Sequence, residues 1–180
     1  FREPAQIVMA IGSALDCAHE QGIVHRDVKP ANIMIDSKGT PLLMDFGLAH
    51  IRESDHKLTY DGSVLGTPAY MSPEQAAGKM DQVGPASDQY SLGAVLYELL
   101  CGKRPFDGPA GLVVSQVIIQ SPATPTTINS MVPRNLEAIC LKAMSKDSGN
   151  RYTTCQMLSE ALENWLGGGS VHVQTSFTTM

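Results

Sequence analysis

The chain has 180 residues, 43% apolar and 17% charged, with a formal net charge of −5. That length fits one domain with enough apolar material for a sizeable core. The acidic balance argues against a nucleic-acid backbone as the main partner, because such a partner needs a basic face.

Cys17, Cys101, Cys140 and Cys155 stand far apart with no C-x-x-C pair. That is the usage of reduced thiols in an intracellular protein, not of a disulfide framework or a zinc site. No run approaches the roughly 18 apolar residues of a membrane span. The longest candidate, 92–101, contains Gly93 and Glu98. No signal-peptide pattern opens the chain, and its first residue, Phe1, suggests a piece of a longer protein.

In chain order, the spacing predicts a helix over 4–21. Pro4 sits in its first turn, Ile7, Val8, Ile11, Ala14, Leu15 and Ala18 share one face, and Gly22 stops it. Ile23-Val24 is a short extended piece. Ile33-Met34-Ile35 and Leu42-Leu43-Met44, separated by Asp36-Ser37-Lys38-Gly39, form a hairpin whose apolar strands make a floor. Residues 48–66 are polar without a sustained period, and a loop of that length in a compact domain is usually functional.

The stretch 87–101 is apolar nearly all round, as in a central helix, and Gly102 closes it. Further helices are expected at 110–120, 134–144 and 154–166. The last carries Met157, Leu158, Ala161, Leu162 and Trp165 on one stripe. Gly167-Gly168-Gly169-Ser170 then opens a tail, 167–180, flexible by composition.

Two motifs carry the chemistry. His25-Arg26-Asp27-Val28-Lys29-Pro30-Ala31-Asn32 matches H-R-D-L-x-x-x-N with Val28 in place of Leu, and Asp45-Phe46-Gly47 follows thirteen residues after Asn32. Either alone is a weak signal; in this order and at this distance they are strong. The chain resembles the C-terminal lobe of a bacterial-type serine/threonine protein kinase. Gly66-Thr67-Pro68-Ala69-Tyr70-Met71-Ser72-Pro73-Glu74 extends the likeness, with Ser72-Pro73-Glu74 standing for the family's A-P-E.

The resemblance implies an α+β fold, mainly α: a kinase C-terminal lobe with a small β-hairpin at the catalytic cleft and no N-terminal lobe. Residues 1–166 would be the kinase portion. It implies transfer of the ATP γ-phosphate to Ser or Thr of protein substrates, with Mg²⁺ as cofactor.

Asp27 would handle the proton of the substrate hydroxyl, and Lys29 would contact the transferring phosphate. Asn32 and Asp45 would supply the hard oxygens that Mg²⁺ prefers. Arg26 resembles the arginine that pairs with an activation-loop phosphate, for which Thr59 and Ser63 are candidate acceptors and Tyr60 a weaker one. Thr67 resembles the residue that hydrogen-bonds the catalytic Asp and Lys. Structural roles are implied for His25 packed under Phe46, for Gly47, for a Glu74–Arg151 ion pair, and for Asp88 as anchor of the catalytic-loop backbone. His19, His50, His56 and His172 have no partners at metal-ligand spacing and read as surface or loop residues.

The family's Gly-rich phosphate loop, strand Lys and partner helix Glu are not found in these 180 residues; only 24 precede His25. The fragment on its own is therefore expected to be inactive, and the surface that meets the missing lobe, including Met34, to be an exposed apolar patch. The expected location is cytoplasmic, with any membrane anchor of the whole protein beyond residue 180.

The alternative of another class is a non-catalytic lobe serving as scaffold or partner-docking module. A third is a small-molecule phosphotransferase sharing the H-x-D-x-x-x-x-N core, which Lys29 and the 66–74 segment disfavour.

Overall fold

Helix α1 (Arg2–Glu20) leads the computed structural model, which describes residues 1–46 and 68–169. It begins two residues before Pro4, without conflict. The N–H groups of a first turn have no carbonyl to reach inside the helix, so proline removes nothing there. Its buried face is Ala5, Val8, Ile11, Gly12 and Leu15, while Ala14, expected inside, is exposed. The face is rotated because α1 lies against α7 (Cys155–Leu166) as well as α3 (Pro85–Cys101). At Gly12 a side chain would collide with Ser159 of α7, whose hydroxyl donates to Met9 O at 2.9 Å.

The same rotation appears on α7. Leu158 and Leu162 are fully buried and Cys155 and Ser159 nearly so, but Met157 is 47% exposed. The 154–166 stripe is thus real but centred one position away from the expected one.

Helix α3 is the axis of the core. Every residue from 87 to 97 is buried, which explains its apolar character on all sides. It begins at Pro85, in the first turn, and ends at Gly102, whose φ of +69° lets its N–H close on Glu98 O at 2.8 Å. Around α3 lie α1, α7 and α6 (Arg134–Ala143), packed through Ile11, Leu15, Leu92, Leu96, Leu136 and Leu158. A smaller apolar cluster, Ala69, Phe106, Val113 and Val117, seats α4 (Ala110–Ile119). Two four-residue helices were not expected: α2 (Pro73–Ala76) and α5 (Pro125–Ile128). They are too short to show a hydrophobic period.

The sheet has two antiparallel strands, β1 (Ile33–Ile35) and β2 (Pro41–Leu43), paired Ile33 to Leu43, Met34 to Leu42 and Ile35 to Pro41. The second strand starts one residue earlier than expected. Asp36 sets the turn by accepting from the N–H groups of Lys38 and Thr40, both at 2.8 Å, and Gly39 takes φ +85°. The hairpin and the residue after it leave Met34 50%, Ile35 48%, Leu42 44% and Met44 40% exposed, with Met34 and Leu42 paired across the strands. Among the described residues the fold is thus mainly helical with one small two-stranded sheet.

Candidate active site

The 25–32 loop is built from the backbone outward. Asp88, fully buried at the start of α3, accepts from the N–H of His25 through Oδ2 at 2.8 Å and from the N–H of Arg26 through Oδ1 at 2.7 Å. His19, in the last turn of α1, donates its Nε2–H to Asp88 Oδ2 at 2.8 Å. The surface reading of His19 is therefore corrected: its side chain is 7% exposed. His50, His56 and His172 lie outside the described residues.

Two of these donors hold the loop to the core helix and the third ties the end of α1 to the same carboxylate, at charge-assisted strength. Val28, the one departure from the motif, is 1% exposed and belongs to the main core.

His25 is also buried, with its ring edge-on to Phe46 at 4.8 Å. Its Nδ1 accepts from the Asp27 N–H at 3.3 Å, so Nε2 carries the proton and donates to Met44 O at 2.8 Å. His25 is thereby committed at both nitrogens to backbone groups, of Asp27 and of Met44.

Asp27 presents its carboxylate outward, 47% exposed. Lys29 Nζ lies 2.7 Å from Oδ2, and Asn32 Nδ2 donates to the same oxygen at 3.2 Å and to the Asp27 carbonyl at 2.8 Å. Asn32 sits in a 3₁₀ turn, Pro30–Asn32, and is 7% exposed. Both of these bonds use its NH₂ end, which leaves the amide oxygen as an acceptor. The Met44 N–H donates to Asn32 O at 2.8 Å, so the strand leading to Asp45 is tied to the loop. Asp45 is exposed, has φ +66°, and makes no hydrogen bond or ion pair among the described residues.

A second cluster ties α2 to the start of α3 and to the chain at 145–151. Glu74 and Arg151 form a bidentate ion pair, Nη1 to Oε1 at 2.8 Å and Nη2 to Oε2 at 2.9 Å, with the Arg151 side chain fully buried. Ser87 Oγ donates to Glu74 Oε1 at 2.7 Å, and Arg151 also donates to the carbonyls of Ala86, Ser145 and Lys146. Burial raises the Glu74 carboxyl, but hydrogen bonds from Arg151 and Ser87 and the Arg151 charge outweigh it and bring the pKa to about 2.

Two glutamines went unnoticed in the sequence. Gln89 brackets the chain after Arg151, donating to Tyr152 O and Thr154 O at 3.0 Å and accepting from the Tyr152 N–H at 2.8 Å. Gln75 donates to the carbonyl of Arg26 at 2.8 Å. No local pattern marks either contact, though Ser72-x-x-Gln75 is a visible capping box. Gly47, Thr59, Ser63 and Thr67 lie outside the described residues.

The family described as "Protein kinase domain" matches residues 2–162. The chain belongs to the protein kinase family. It is 39% identical to the probable serine/threonine-protein kinase PknB of Bifidobacterium longum, over 99% of this chain and 26% of that protein. It is 43% identical to the serine/threonine-protein kinase PknB of Mycobacterium tuberculosis, over 83% of this chain and 24% of that one. With the Mycobacterium leprae protein of the same name the identity is 42%, covering 85% and 24%.

The chain thus spans about a quarter of the length of the curated relatives it matches, and it corresponds to part of a kinase domain. Kinases as a family use ATP with Mg²⁺ and act on proteins. No described helix is long and apolar enough to cross a membrane.

Proposed function

We propose that these residues form the metal- and proton-handling half of a serine/threonine protein kinase site, with ATP held against them by polypeptide outside residues 1–180. The observation that carries this is the single loop presenting the Asp27 carboxylate, the Lys29 ammonium and the Asn32 amide together, on a backbone anchored by Asp88. On this reading residues 1–166 are the kinase portion and 167–180 a tail.

The donor set suits Mg²⁺: a neutral amide oxygen from Asn32 and a carboxylate from Asp45, both hard oxygens. Bound there, the ion would neutralise charge on the ATP phosphates. Asp27 orients the substrate hydroxyl and takes its proton as the new bond from the Ser or Thr oxygen to phosphorus forms. The bond from phosphorus to the ADP oxygen breaks, and ADP leaves with the electron pair.

Lys29, held 2.7 Å from Asp27, places positive charge where the transferring phosphoryl oxygens gather. Arg26 would receive a phosphate on Thr59 or Ser63, and Thr67 would bond Asp27 and Lys29. These last roles rest on sequence. A cytoplasmic location is supported by the four unpaired cysteines and by the need for ATP.

Asp27→Asn tests the assignment in the full-length protein. The amide keeps the shape and still accepts from Lys29 and Asn32, but it is too weak a base to take the proton. Phosphotransfer should fall by roughly 10²–10⁴-fold, with KM for ATP little changed. A rate equal to that of the parent protein would refute the role of Asp27.

A further inference from the structure

Arg26 is not glycine, yet its φ is +66°. L-residues avoid that region because Cβ crowds the following carbonyl, so surrounding contacts must hold it. Its N–H is bound to Asp88 Oδ1 at 2.7 Å and its carbonyl to Gln75 Nε2 at 2.8 Å. The next N–H, of Asp27, reaches His25 Nδ1 at 3.3 Å. The peptide unit joining Arg26 to Asp27 is therefore held at its oxygen and at its nitrogen. Released from these contacts, Arg26 could leave its disfavoured φ, and a change there not compensated at Asp27 would swing the Cα–Cβ bond of Asp27 away from Lys29 and Asn32.

We propose that Gln75 is a positioning residue that fixes the Arg26–Asp27 peptide and couples the order of the 72–76 segment to the aim of the Asp27 carboxylate. Its kinetic consequence rests on the kinase reading; its structural consequence does not.

The coupling follows from the planar amide. While Nε2 donates to Arg26 O, the other end, Oε1, accepts from the Ser72 N–H at 3.0 Å. The amide cannot rotate without losing one of the two bonds. Its helix, α2, is fixed in turn by the neighbouring Glu74 on Arg151. Asp88 approaches Arg26 from the rigid core helix, whereas Gln75 approaches from the short helix that follows the 68–70 turn. A change that loosens or orders that segment therefore bears on the Arg26–Asp27 peptide directly through this side chain.

The bland reading makes Gln75 a helix cap and nothing more. Gln75→Glu separates the two, because glutamate still accepts from Ser72 in a capping box but cannot donate to the Arg26 carbonyl. Gln75→Ala loses both bonds.

Hydrogen exchange on the full-length protein gives the first readout. In Gln75→Glu the Arg26 and Asp27 amides should exchange roughly tenfold faster, while those of Ala76 and Ala77 keep their protection. Unchanged exchange at 26–27 would overturn the proposal.

Kinetics give the second. Both variants should lose roughly 10- to 100-fold in kcat with KM for ATP and acceptor peptide within about twofold. A parent-like kcat in Gln75→Glu, or a loss seen only in Gln75→Ala, would overturn the positioning role. If Asp27→Asn abolishes transfer at the same time, the kinase reading stands. If Asp27→Asn itself leaves the rate intact, the kinase reading fails, and the exchange data still decide the clamp.

Discussion

Glu74→Ala should destabilise the fold by about 3–5 kcal/mol at neutral pH, the cost of leaving a buried charge without its partner. Arg151 would keep its bonds to three carbonyls, but its fully buried guanidinium would lose the only carboxylate that faces it among the described residues. Losing both groups, in Glu74→Leu with Arg151→Met, should cost less than losing either alone.

The pair also gives a pH signature of known sign. The Glu74 carboxyl is brought from 4.5 to about 2 in the folded chain. Its contribution is complete above the unfolded value and is lost as pH falls from about 4.5 towards 2, a term of about 3 kcal/mol. Urea midpoints at pH 7 and at low pH measure both effects. The gap between the parent chain and Glu74→Ala should narrow as pH falls through that window. Equal midpoints at pH 7 would show that the pair does not support the fold.

Residues 1–180 alone should transfer no measurable phosphate. The proposed half-site is assembled, since Lys29 and Asn32 both bond Asp27. Phosphoryl transfer, however, depends on holding the nucleotide in line with the acceptor, and well-oriented placement is worth roughly 7–11 kcal/mol. No Gly-rich phosphate loop or ATP-binding strand lysine occurs in these 180 residues. Calorimetric titration with ATP and Mg²⁺, alongside a transfer assay on the same preparation, checks this. Robust transfer from residues 1–180, abolished by Asp27→Asn, would overturn the division of labour.

How far the fold can be read from sequence depends on the range of the contact. The α1, α3 and α7 helices declare themselves because a packed face repeats every three or four residues. The exact face is less legible. Ala14 and Met157 fall outside it because Gly12 and Ser159, neither of them strongly apolar, mark the α1–α7 contact. Glu74 and Arg151 are 77 residues apart, and only resemblance to known kinases joined them beforehand.

His19 and Gln75 were missed for a related reason. A histidine at a helix end and a glutamine in a helix start read locally as solvated or capping residues. Their partners, Asp88 and the Arg26 carbonyl, are 69 and 49 residues away. The 25–32 loop, in contrast, is a local constellation, and Asp27, Lys29 and Asn32 meet within five residues.

On the proposed reading this loop serves phosphate transfer to protein hydroxyls. The most direct measurement supplies the full-length protein with γ-labelled ATP, Mg²⁺ and a protein acceptor, then identifies the labelled amino acids. Phosphoserine and phosphothreonine that disappear in Asp27→Asn are the expected result. ATP turnover without labelled protein, or labelling that survives Asp27→Asn, would contradict it.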